Sequence, residues 1–109
     1  MNEIVLKEGE KKTISFTYKD KQTGEALDMT GATFTFCVKL KKSDADCLIK
    51  VEDGDFDHSE ADKGVVTCPI DVSPLTGGER YVGEIRAVQG DSIDKSDDIE
   101  LTIVPAVID

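Results

Sequence analysis

Hydrophobic and polar positions alternate with a period of two along most of this chain. Over residues 12–19, Ile14, Phe16 and Tyr18 fall on one side while Thr13, Ser15 and Thr17 fall on the other, the signature of a strand with one buried face. Residues 32–40 repeat the pattern at greater length. Ala32, Phe34, Phe36, Val38 and Leu40 share a parity opposite Thr33, Thr35, Cys37 and Lys39, so this strand is expected to bring two aromatic rings into the core. The alternation returns in Val66, Cys68, Ile70 and Val72, in Tyr81, Gly83, Ile85 and Ala87, and in Ile99, Leu101 and Ile103. Shorter segments at residues 4–7 and 47–51, the latter with Cys47, Ile49 and Val51 on one side, bring the expectation to about seven strands.

Turn signals separate these segments: Gly9, residues 20–24, Thr30 with Gly31, Asp53 with Gly54, Gly64, residues 74–78, and Gly90 with Asp91. No stretch repeats apolar residues at helical spacing, the nearest being a turn or two within residues 58–63. The expected class is all-β, a two-sheet sandwich or a small barrel. Residues 75–81 favour the sandwich. Leu75, Gly78 and Tyr81 have the spacing of a tyrosine corner, in which a tyrosine opening a strand returns its hydroxyl to the backbone a few residues upstream. Pro69 stands inside the segment 64–72 and has no N–H to give a ladder, which places that strand at a sheet edge or makes it irregular at that point.

At 109 residues with 39% hydrophobic and 33% charged side chains, the chain suits one domain, residues 1–109, with one core. The formal charge of −10, from 23 acids against 13 bases, would repel phosphate backbones and anionic lipid, so nucleic acid and membranes are not expected partners. No apolar run is long enough to span a bilayer, and residues 1–3 lack the features of a signal peptide. Cys37, Cys47 and Cys68 are odd in number and widely spaced. Free thiols in a reducing compartment are the expected state, with a bridge from Cys37 or Cys47 to Cys68 as the alternative.

Candidate chemistry is sparse. Residues 44–62 carry Asp44, Asp46, Glu52, Asp53, Asp55, Asp57, Glu60 and Asp62 against Lys50. Asp53, Asp55 and Asp57 reproduce the opening of a calcium loop, but His58 stands where the turn glycine belongs and Gly64 where the closing glutamate belongs. These three are weak metal candidates, and a solvated acidic loop is the default reading. A second acidic stretch, Asp91, Asp94, Asp97, Asp98 and Glu100, reads as a hairpin tip. With His58 alone among histidines, no nucleophile elbow and no phosphate-cradling loop, neither catalytic residues nor a cofactor are expected. The absence of tryptophan and 6% aromatics leave little for a sugar-stacking platform.

The order of these features resembles the immunoglobulin-like N-terminal domain of phage tail baseplate (upper baseplate) proteins. The resemblance runs through Gly9 and Glu10 into residues 13–18, the loop 23–28, and the segment Met29, Thr30, Gly31, Ala32 that opens the long strand. It continues at Gly64, Val65 and Val66, and in Leu75, Gly78, Tyr81, Glu84 and Ile85. It spans nearly the whole chain. It implies an immunoglobulin-like sandwich serving as a structural part of a virion, assembled in the host cytoplasm with other tail or baseplate subunits or with copies of itself. Family members often carry a receptor-binding or coiled-coil region after this domain, whereas this sequence stops at residue 109. Contact candidates are the outward-parity Val65, Val82 and Val88, with Val107 and Ile108 in the apolar C-terminal segment. An immunoglobulin-like surface module recognising a glycan or a host protein through its loops is the alternative.

Overall fold

The computed structural model describes residues 2–96 and 98–107. Eight strands are present among them: β1 (Asn2–Lys7), β2 (Lys11–Thr17), β3 (Thr33–Lys39), β4 (Ile49–Val51), β5 (Val65–Asp71), β6 (Arg80–Gln89), β7 (Ser92–Lys95) and β8 (Ile99–Val104). Two short 3-10 turns, Asp53–Asp55 and Ala61–Lys63, lie between β4 and β5. No helix among the described residues is long and apolar enough to cross a membrane.

The strands form two sheets. The larger runs β1-β8-β6-β3-β4, with β7 paired to the far end of β6, and the smaller is β2-β5. All pairs are antiparallel except β1 with β8. The chain is therefore an all-β two-sheet sandwich.

The period-two positions meet between the sheets. Phe34, Phe36 and Val38 of β3, Val66 and Cys68 of β5, and Leu101 and Ile103 of β8 are fully buried. Phe36 lies 5.7 Å from Phe16, and Phe34 lies 5.8 Å from Tyr18 and 5.6 Å from Phe56, measured between ring centroids. Aromatic pairs at these separations add about 0.5–1.5 kcal/mol beyond the area they bury. Leu40, expected on the core face, is instead 44% exposed, because β3 ends at Lys39 and the chain turns away.

Two further expectations need correction. The stretch 91–100 is not all hairpin tip: residues 92–95 form β7 against β6 with Gly90 and Asp91 in the turn, Glu100 belongs to β8, and Asp97 lies outside the described residues. The cysteines are neither all free nor bridged to Cys68. Cys37 and Cys47 form a disulfide across a Cα separation of 5.5 Å, and Cys68 is a buried free thiol. The reason is parity. Cys37 points out of β3 while Cys68 points into the core from β5. The β3–β4 hairpin brings residue 47 back beside residue 37, since Leu48 N–H donates to Val38 O.

Candidate interaction surface

The turn before β6 is fastened to two strands of the large sheet. Leu75 is buried, and the Thr76 N–H donates to the Tyr81 hydroxyl at 2.9 Å. Gly78, at φ +90°, donates its N–H to Ile103 O of β8. Gly77 N–H donates to a Glu8 carboxylate oxygen at 2.9 Å. This is the hydrogen-bond geometry of a tyrosine corner, and it fixes the direction in which β6 enters the sheet.

The acidic loops bind their own backbone. Asp53 accepts the Phe34 N–H at 2.8 Å and stands 3.1 Å from His58 Nε2, whose ring packs on Phe34. Asp57 accepts the Ser59 N–H, which holds its carboxyl below the usual carboxylate range. Asp55 is exposed on the 3-10 turn. The structure thus turns Asp53 and Asp57 to different backbone donors. Among the described residues, no three His, Cys, Asp or Glu side chains are grouped to hold a metal ion.

The valines do not converge on one patch. Val65 lies on the small sheet, whereas Val82 and Val88 lie on β6 of the large sheet. All three are half-buried. Val107 is fully exposed beyond β8, and Ile108 lies outside the described residues. The structure adds partners that alternation did not reveal. Ile93, 65% exposed, sits directly opposite Val88, and Val5 is 55% exposed on β1.

Around Val82, Val88 and Ile93 the outer side of the large sheet carries Lys39, Arg80, Arg86 and Lys95 against Glu84 and Glu100. A basic, partly apolar face on a chain of charge −10 is a local reversal of sign. Two hollows lie at the sides of the sandwich. One is an open groove of about 830 Å³ between β4 and β5, lined by Leu48, Ile49, Val51, Pro69 and Ile70 with Lys50 and Asp71. The other, about 320 Å³, lies under β2 and is lined by Ile4, Ile14, Phe16, Tyr18, Ile85 and Ile99. Compared with family models and with curated proteins, the chain matches none.

Proposed function

We propose that the chain is a structural component of a phage or prophage tail or baseplate, working through protein–protein contacts on its sheets and edges. The observation that carries this reading is where its polar groups go. Among the described residues no polar or charged one is buried, and Asp53 and Asp57 of the acidic loop accept backbone N–H groups. What remains for function is surface: a basic face with half-buried valines, open strand edges and an apolar segment after β8. The sequence resemblance to baseplate domains points to the same use, with the virion as the location and tail or baseplate subunits as partners.

Co-expression with the products of the flanking genes tests this. A stoichiometric complex with tail proteins is the expected result. A position within an adhesin or secretion locus, with no such complex, would overturn it. The disulfide between Cys37 and Cys47 favours one second reading, an immunoglobulin-like surface module for a glycan or host protein. Disulfides persist on secreted, cell-surface and virion-surface proteins alike. Saturable binding to a glycan array or to host surface protein would select that reading.

A further inference from the structure

The two edges of the small sheet are finished differently. Tyr18 donates its N–H to Gly64 O, and Val72 donates to Glu10 O. With Thr13 opposite Pro69 and Ser15 opposite Thr67, the even-numbered residues of both strands make the ladder and the odd-numbered ones face outward. On β5 those outward positions are closed. Val65 donates to Glu60 O, Thr67 exchanges both bonds with Asp57, and Pro69 has no N–H. On β2 the N–H and C=O groups of Thr13, Ser15 and Thr17 face outward with no such closure among the described residues.

Beneath this open edge the core is unfinished. Ile14, Phe16 and Tyr18 are only half-buried although they belong to the inward parity. The Tyr18 hydroxyl is out of contact with solvent and makes no hydrogen bond to the described residues, an arrangement that is unfavourable for a buried donor. The same burial pushes its pKa up to about 12. β1 cannot cover the gap. It leaves the turn at residues 7–10 to join the large sheet, while β2 joins the small one.

Charge selects the occupant. Lys11 and Lys12 stand at one end of β2 and Lys19 and Lys21 just beyond the other, all exposed. Lys11 stands 3.9 Å from Asp71 and Lys12 3.6 Å from Glu10, Asp20 accepts the N–H groups of Gln22 and Thr23, and Asp94 is the acid whose charge reaches Tyr18. A second copy would offer the same lysine-flanked edge, and pairing β2 with β2 would gather like charges along one seam.

We infer that the open edge of β2 takes an extended peptide segment of a partner protein, apolar at alternate positions and acidic at both ends. The segment adds a third strand to the small sheet. Its apolar side chains roof the cleft over Phe16 and Tyr18. This rests on the reading of the chain as a protein-contact component and names the site of one contact.

The probe is a short labelled peptide with aspartate at both ends and valine alternating with threonine between them, followed by fluorescence anisotropy. Saturable binding is expected, weakened at least about tenfold when lysine replaces the aspartates. N-methylation of the peptide at one parity should abolish binding while the other parity leaves it intact, because only one row of amides meets β2. Ser15→Pro, which removes an outward N–H and leaves the β5 ladder whole, should also weaken binding at least about tenfold. No binding, indifference to the N-methylated parity, or a concentration-dependent dimer that Ser15→Pro dissolves would each overturn the inference. If the chain still forms its complex with neighbouring gene products while the peptide fails, the edge is refuted and the broader reading stands.

Discussion

Tyr81 and Cys68 are both buried, yet one is held by a hydrogen bond across a turn and the other by apolar packing. Replacing Tyr81 with Phe leaves the Thr76 N–H without its acceptor and should cost at least ~1 kcal/mol in a denaturant melt. Burial raises the Cys68 thiol to about 12, with Asp55 adding a small push in the same direction. It should therefore resist alkylation in the native protein. A thiol titration should find none reactive in the fold, one after unfolding, and all three cysteines only after unfolding with reductant.

The acids follow a local rule. Asp28, Asp57 and Asp71 each accept the N–H of the residue two positions on, Thr30, Ser59 and Ser73. Their pKa values are lowered, chiefly by the Thr30 hydroxyl for Asp28 and by the backbone bonds to Ser59 and Ser73 for the others. A lowered folded-state value means that the stabilisation is present above the ordinary aspartate pKa of about 4 and is lost as pH falls through the folded one. The melting temperature should hold from neutral pH down to about 5 and decline below 4, and Asp57→Asn with Asp71→Asn should flatten that decline.

At the level of elements, the turn at Gly64 is the most constrained. Its φ is +77°, and an added Cβ would stand 2.6 Å from Tyr18 O and 2.8 Å from Leu27 O, both backbone atoms. Gly64→Ala should lower stability by well over ~1 kcal/mol, while Gly54→Ala, with open space and ordinary φ, should change it little. The strands that border the core were legible because alternation is imprinted by burial on one side: β2, β3, β5, β6 and β8 all show it. β7 was not legible, since all four of its residues are exposed and nothing forces a period on them. The disulfide was hidden for a related reason. Cysteine spacing carries no register, and pairing Cys37 with Cys47 requires knowing that residues 49–51 fold back onto β3. Reducing this bridge reopens a ten-residue separation, and the chain-entropy model assigns the closure about 2–3 kcal/mol. Cys37→Ser with Cys47→Ser should show that loss in a urea melt.

For the molecule as a whole, the telling feature is a cost that the fold retains. Arg86 and Lys95 stand directly opposite one another across β6 and β7. Like charges in that position are unfavourable by a few tenths of a kcal/mol up to about 1. Both are exposed, and Arg86 makes a 3.3 Å bond to the Thr35 hydroxyl. A chain with a large acid surplus could have placed an acid there and gained a cross-strand pair. The basic pair instead keeps the face around Val88 and Ile93 positive, which steers acidic protein surfaces toward it. Lys95→Glu separates stability from contact. It should raise the melting temperature slightly, because repulsion with Arg86 becomes attraction, and it should slow association with the co-purified partner at least about tenfold at low salt. The difference should shrink as salt is added. Equal association rates for the two proteins across the salt series would mean that this face meets nothing, and the contacts would then lie along the strand edges alone.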